Sequence, residues 1–321
     1  MKILVTGGAG YIGSFMVRHL LDNNHSVVVA DSLEKGYEDA IDSRAEFKKG
    51  DLRDLGFVSS LFRYRFDGVI HFAAYISMGE SMENPFKYFD NNISASLNVV
   101  EEMLRAGQNN FIFSSTAGVY GNPTKIPIPE DHQKSPENPY GESKLMVEKI
   151  LSWYGKTKGL NSVCLRYFNA AGAAADGSLG ERHTPESHII PNIMKSLLRQ
   201  EEFTLFGTDY QTPDGTCIRD YIHVLDLVAA HVLALEKLQK DPGTYQYNVG
   251  TGKGYSNKEV LEAVEKVSGQ KVQVQYSKRR PGDADQLIAD VTKISTALGF
   301  SPKYSDLETI VKTAWEWHKK Q

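Results

Sequence analysis

The chain has 321 residues, 41% hydrophobic and 24% charged, with a formal net charge of −4. That length supports one large domain or two smaller ones with a full core, and the acidic balance argues against nucleic acid as a partner. No apolar run approaches the ~20 residues of a membrane span, and the short run behind Met1-Lys2 breaks at glycine, so no secretory leader and a cytoplasmic location are expected. Cys164 and Cys217 stand in apolar stretches and read as small buried hydrophobes rather than a disulfide.

In chain order, short apolar runs alternate with longer amphipathic ones. Strands are expected near residues 2–6, 26–30, 45–48, 68–72, 110–114 and 162–167. Several are apolar throughout, as strands covered on both faces must be. Helices are expected near 12–24, 54–65, 85–106 and 140–156. Such alternation specifies an α/β fold with a doubly wound, Rossmann-type parallel sheet. Beyond Phe168 glycine, alanine, proline and histidine become frequent, which marks a smaller second domain. The expected division is 1–168 for a dinucleotide-binding domain and 169–321 for a substrate domain. A helical stretch at 220–238 and a strand at 245–249 are candidates to return to the first domain.

Gly8-Ala9-Gly10-Tyr11-Ile12-Gly13 satisfies G-x-G-x-x-G, and Gly7, Gly10 and Gly13 satisfy the wider-spaced variant. The motif follows a strand and opens a helix. In that context glycines admit a pyrophosphate to the backbone and the helix N-terminus offers free N–H groups. Asp31 closes the next strand, about 20 residues on, where a carboxylate meets the adenosine ribose and disfavours a 2′-phosphate, so NAD is the expected cofactor. Asp51 and Leu52 are placed to reach the adenine, and Phe72, Ala73 and Ala74 to line the cofactor's path.

Tyr140-Gly141-Glu142-Ser143-Lys144 puts a phenol and an ammonium on one face of a helix. A free phenol titrates at about 10, so work as a base near neutrality needs about 4 kcal/mol of help. A neighbouring ammonium and the positive nicotinamide ring supply it. Ser114-Ser115-Thr116 ends the fifth strand and sets hydroxyls at the sheet edge that carries the glycine loop.

Taken with Gly50-Asp51-Leu52-Arg53-Asp54, His71-Phe72-Ala73-Ala74, Arg166-Tyr167-Phe168-Asn169, the segment 214–224 and Arg279-Arg280-Pro281-Gly282-Asp283, these motifs follow one another as in the extended short-chain dehydrogenase/reductases. The chain most closely resembles the UDP-glucose (UDP-galactose) 4-epimerases among them, over nearly its whole length. The resemblance implies tightly bound NAD, a UDP-sugar substrate and a homodimer joined through helices near 85–106 and 140–156. It implies that Tyr140 takes the proton of the sugar 4′-hydroxyl, that Lys144 holds the nicotinamide ribose and lowers the tyrosine pKa, and that Thr116, where many relatives have Ser, hydrogen-bonds the 4′-oxygen. Gly7, Gly10, Tyr11, Ile12, Gly13, Asp31, Asp51, Leu52, Phe72, Ala73, Ala74, Asn91, Ser114 and Tyr167 complete the implied cofactor site. Asn169, His188, Ile189, Phe206, Arg219, Arg280, Asp283 and Leu287 complete the implied substrate site, with the arginines on the diphosphate, Asp283 on the uridine ribose and Phe206 near the uracil. Leu287 replaces a bulky Tyr that bounds the sugar pocket in relatives, which implies access for N-acetylated sugars.

Three other readings compete. A 4,6-dehydratase shares the fold but carries an acid pair behind the threonine, where this chain has Ala117-Gly118. A 4-epimerase of UDP-pentoses or uronates fits the same motifs. A non-catalytic NAD sensor accounts for the glycine loop but not for Tyr140, Lys144 and Thr116 together. His71, His183, His188 and His223 show no common metal-ligand spacing, so no metal is assigned.

Overall fold

The computed structural model describes residues 1–280 and 283–321; the Pro281-Gly282 part of the diphosphate motif lies outside the described residues. The elements run β1 (Lys2–Thr6), α1 (Tyr11–Asp22), β2 (Ser26–Asp31), β3 (Glu46–Lys49), α2 (Leu55–Leu61), β4 (Gly68–His71), α3 (Met78–Glu83), α4 (Pro85–Phe89), α5 (Ala95–Arg105), β5 (Asn110–Thr116), α6 (Pro139–Lys158) and β6 (Asn161–Tyr167). They continue with β7 (Asn169–Ala171), α7 (Ile189–Arg199), β8 (Phe203–Phe206), β9 (Ile218–Arg219), β10 (Tyr221–His223), α8 (Val224–Lys240), β11 (Thr244–Val249), β12 (Tyr255–Ser256) and α9 (Asn257–Ser268). The last are β13 (Val274–Ser277), β14 (Gln286–Leu287), α10 (Thr292–Leu298) and α11 (Leu307–His318).

Seven strands form one sheet in the order β11-β6-β5-β4-β1-β2-β3. The pairings of β1 with β2 and β4, of β2 with β3 and of β4 with β5 are parallel. The α/β, doubly wound architecture expected from the sequence is therefore present, and its strand order reverses beside β1, where ligands bind in such sheets. No helix among the described residues is long and apolar enough to cross a membrane.

The chain divides into two compact units. Unit 1 comprises residues 1–121, 134–166 and 228–247. Its core gathers Leu4, Val28, Val69, Phe111, Phe113 and Cys164. Unit 2 comprises residues 122–133, 167–227 and 248–321. Its core joins α7, α9 and α11 through Ile193, Met194, Val260, Ile310, Val311 and Trp315. Both cysteines are buried and free.

Two elements differ from expectation. The helical stretch at 220–238 begins only at Val224, because Tyr221–His223 pairs in parallel with Asn169–Ala171. Buried Asp220 anchors that strand: it accepts from the Thr251 N–H and hydroxyl at 2.8 and 2.7 Å, from Gly252 N at 3.0 Å and from Ala289 N at 3.2 Å. The helix expected at 85–106 is present as a continuous helical path over 85–105, but it contains a π-turn at Asp90–Ser94, which absorbs an extra residue. The Asn92 amide explains it, since its nitrogen donates to Tyr75 O and Ser143 Oγ and its oxygen accepts from Tyr75 N at 2.9 Å.

Candidate active site

In unit 1 the glycine loop leads from β1 into α1, and Gly10 is the helix N-cap. No side chain among the described residues caps it, and the first turn carries no acid. A Cβ built on Gly10 would meet only Gly7 O, at 3.4 Å, so there is open space above the amides of the first turn. That cradle fits the pyrophosphate of a dinucleotide. Asp31 also fixes the loop: its carboxylate accepts from Ala9 N at 3.0 Å and Leu33 N at 2.8 Å. Burial pushes the Asp31 pKa up and these N–H groups pull it down.

The other expected cofactor residues of unit 1 have partners of their own. The Asp51 carboxylate is held by Arg53 at 2.6 Å, and Leu52 packs into the unit 1 core. The Phe72 ring turns onto His231 of α8, 4.8 Å between centroids, which leaves the backbone of Phe72-Ala73-Ala74 as the surface facing the loop. The Tyr11 ring meets Phe15 edge-on at 5.7 Å. Ile12 lies beside it in the first turn of α1. Asn91 donates to Asn92 Oδ1 at 3.1 Å within the π-turn. Tyr167 is the last residue of β6.

Pro139 opens α6 and Asn138 caps it, accepting from Gly141 N at 2.9 Å. Tyr140 therefore sits in the first turn, and it is buried with Tyr75 and Tyr88. A Cβ on Gly141 would fall 2.8 Å from Gly118 O, so glycine is what lets this turn press against the 3-10 turn behind Thr116. Thr116 Oγ1 caps that 3-10 turn by accepting from Gly118 N at 3.0 Å. Accepting that bond leaves the Thr116 hydroxyl proton available for donation.

Lys144 is buried, donates from Nζ to Ser114 O at 2.9 Å and lies 4.8 Å over the Phe113 ring. Burial lowers its pKa to about 7, against the opposing pull of Glu148. Glu148 is one turn further along the same face of α6. Both its oxygens are held by Arg166, the shortest contact 2.6 Å, and it accepts from Ser115 Oγ at 2.6 Å. Arg166 also donates to Tyr120 OH at 2.8 Å. Sequence reasoning missed Glu148 and Arg166; the i, i+4 spacing of Glu148 from Lys144 was the available signal.

In unit 2, strands β9 and β14 pair so that Leu287 stands opposite Arg219. The Arg219 guanidinium is 3.5 Å from the Asp283 carboxylate, which also accepts from Tyr210 OH at 3.3 Å. Arg280 lies 4.5 Å over the Phe206 ring. Asn169 N donates to Asp220 O at 3.0 Å, tying β7 to β10. His188 is the N-cap of α7, and Ile189 its first residue. Tyr210 was not anticipated. The structure also gathers His183 and His188 with Glu181 and Glu186, a grouping that histidine spacing alone did not reveal.

The chain matches the NAD dependent epimerase/dehydratase family over residues 3–250. It is 49% identical to a UDP-glucose 4-epimerase of Halalkalibacterium halodurans, covering 99% of this chain and 96% of that protein. The solved structure of UDP-glucose 4-epimerase from Bifidobacterium longum in complex with NAD+ and UDP superposes with a TM-score of 0.94 at 35% identity, covering 100% of this chain and 98% of that one. That of the UDP-Glc/GlcNAc 4-epimerase from Campylobacter jejuni gives 0.87 at 44% identity, covering 100% and 99%.

Lys144 yields a stability prediction. Its ordinary pKa is 10.5 and its pKa in the fold is about 7. Between those values the unfolded chain holds the extra proton, so this group makes stability rise with pH; below about 7 its full cost is present. Lys144→Met is expected to melt higher than wild type at pH 7 without ligands and to lose that part of the pH dependence. Circular-dichroism melts from pH 6.5 to 9.5 check this, and identical slopes for the two proteins would contradict it.

Proposed function

The chain belongs to the NAD dependent epimerase/dehydratase family, and on that premise we propose that it interconverts UDP-galactose and UDP-glucose by inverting C4′ with NAD held throughout. The observation that carries this is the assembly, in unit 1, of the Thr116 hydroxyl, the buried Tyr140 phenol and buried Lys144 on elements joined at the carboxyl edge of the sheet. When bound, NAD supplies reversible hydride removal at C4′ and ends each turnover as it began.

In this reading Tyr140 takes the 4′-hydroxyl proton and later returns it. Thr116 donates its proton to the 4′-oxygen, whose developing charge it stabilises. Lys144 holds the nicotinamide ribose and, when charged, favours the phenolate. Gly7, Gly10, Gly13, Tyr11 and Ile12 hold the pyrophosphate, Asp31 the adenosine ribose, and Asp51 and Leu52 the adenine. Phe72, Ala73, Ala74, Asn91, Ser114 and Tyr167 frame the nicotinamide half. Unit 1 is thus assigned to the cofactor. Unit 2 is assigned to the UDP-sugar: Asn169, Arg219 and Arg280 on the diphosphate, with His188 and Ile189 beside it, Asp283 on the uridine ribose, Phe206 on the uracil and Leu287 on the sugar. Dehydration would need an acid and a base behind Thr116, where Ala117 and Gly118 stand. We place the chain in the cytoplasm, the compartment in which free cysteines such as Cys164 and Cys217 persist.

A homodimer is supported by apolar side chains left at the surface of α5 and α6: Leu97 and Ile150 are only partly buried, and Met146 and Trp153 of α6 are 38% and 64% exposed. Sedimentation velocity is expected to show a dimer for wild type and a monomer for Ile150→Glu; a wild-type monomer at micromolar concentration would refute it.

Purified protein given UDP-galactose and no added cofactor is expected to form UDP-glucose without accumulating NADH. Tyr140→Phe is expected to cut turnover about 10²- to 10⁴-fold while NAD stays bound. An inactive wild type with intact bound NAD would favour a sensor instead. Leu287 sets the substrate range: wild type is expected to turn over UDP-GlcNAc, and Leu287→Tyr to lose most of that activity while keeping UDP-glucose. Equal N-acetyl activity in the two proteins would defeat this assignment.

A further inference from the structure

Ahead of α7, within eight residues of chain, Glu181, His183, Glu186 and His188 turn one ligand atom each toward a common point, all within 4.8 Å of one another. Glu181 Oε1 is 3.0 Å from His183 Nδ1 and also contacts His188 Nδ1. Glu186 Oε1 is 3.7 Å from each of those ring nitrogens. Both carboxylates are buried, with side-chain exposures of 4% and 5%. A tetrahedral zinc ion bound at about 2.0–2.1 Å spaces neighbouring ligand atoms about 3.3 Å apart; the separations of 3.0 and 3.7 Å lie on either side of that value, and the Glu181–His188 contact, shorter than both, would open on binding.

Surrounding contacts hold the group in place. Trp317 Nε1 donates to Glu181 O at 3.0 Å. Glu186 Oε1 accepts from Ser187 N at 2.9 Å and His188 N at 3.1 Å, while its other oxygen faces Lys195 Nζ at 3.2 Å. His318 of α11 is buried in the field of Glu181 and Glu186, and its Nε2 has no hydrogen-bond partner among the described residues.

Lys195 already faces Glu186 at 3.2 Å, so the two carboxylates are balanced either by that ammonium with an imidazolium, the two rings lying 5.5 Å apart between centroids, or by a bound cation. One dication neutralises both carboxylates and leaves both imidazoles neutral, which is the form that ligates. Two imidazoles with two carboxylates suit zinc better than magnesium or calcium, which take oxygen alone.

We propose that Glu181, His183, Glu186 and His188 bind one divalent transition-metal ion, zinc by preference, as a structural clasp that fixes the loop entering α7. The clasp sets His188, the N-cap of that helix, whose side chain makes no capping hydrogen bond to the described residues. It shares one residue, His188, with the epimerase reading, which sets it beside the diphosphate.

The test uses the full chain without an affinity tag, stripped with a chelator and dialysed, then exposed to zinc and measured by elemental analysis. Wild type is expected to retain one zinc per chain, to melt several degrees higher with zinc than with magnesium, and to give the visible bands of four-coordinate cobalt when Co²⁺ replaces zinc. Glu181→Gln combined with His183→Asn is expected to lose at least nine-tenths of the metal while keeping bound NAD, which reports that unit 1 is folded. His183→Cys is expected to add a thiolate-to-cobalt charge-transfer band. Less than one-tenth of an equivalent of zinc on folded wild type overturns the proposal, as does undiminished binding by the double variant. These readouts do not involve turnover, so failure here is distinct from failure of the epimerase reading.

Discussion

A charge buried in a protein must find a buried partner, and in unit 1 Glu148 and Arg166 find each other. The pair is closed by a 2.6 Å contact, with Ser115 and Tyr120 taking further hydrogen-bonding positions around it. It thereby ties together β5, the 3-10 turn after it, α6 and β6, the elements that carry Thr116, Tyr140 and Lys144. Removing one partner of such a pair costs about 3–5 kcal/mol, because the other is left as an uncompensated charge. Glu148 has a second effect. Burial drives Lys144 toward its neutral form, and the Glu148 carboxylate one turn away opposes it. Burial and the carboxylate thus act in opposite directions on the Lys144 charge.

Unit 2 depends on a buried carboxylate of a different kind. Asp220 is satisfied by backbone N–H groups and a hydroxyl rather than by a cation. Its own N–H donates to Leu287 O at 3.0 Å, the ladder bond that keeps β14 beside β9. Arg219 and Leu287 are neighbours for that reason, and Asp283 and Tyr210 close the group around the guanidinium. On the proposed reaction this distribution is chemically apt. The keto sugar must present both faces of C4′ in turn, so the strong contacts belong on the nucleotide and the hexose must be held loosely. Fixed charge and aromatic surface cluster at Arg219, Asp283, Phe206 and Arg280, and the residue assigned to the sugar, Leu287, is aliphatic.

Much of the fold was legible because its signals are local. Apolar runs became β1, β2, β4, β5 and β6 within a residue or two, since a strand covered on both faces has few alternatives to continuous hydrophobicity. The glycine loop and the start of α6 were legible for the same reason: a cap, a Pro at the first helical position and a glycine where backbones approach are written in adjacent residues. The failures are equally specific. Residues 221–223 looked helical because they precede a long amphipathic run, but a parallel partner 52 positions earlier, Asn169 opposite Tyr221, made them a strand. The helix expected at 85–106 formed, but its π-turn at 90–94 was not legible, because it goes with Asn92 bonding Tyr75 and Ser143, neither close in sequence.

By itself, then, the sequence determined the alternation of elements, the glycine-rich turn between β1 and α1 and the placement of Tyr140 and Lys144 on one helical face, because each follows from backbone geometry over a few residues. Only the tertiary structure decided what surrounds those groups. It joined Glu148 to Arg166, lowered the pKa of Lys144 through burial, made Thr116 the cap of a 3-10 turn and drew two glutamates and two histidines to one point. Those outcomes depend on desolvation and on partners brought together by folding, and neither is encoded in the spacing of residues along the chain.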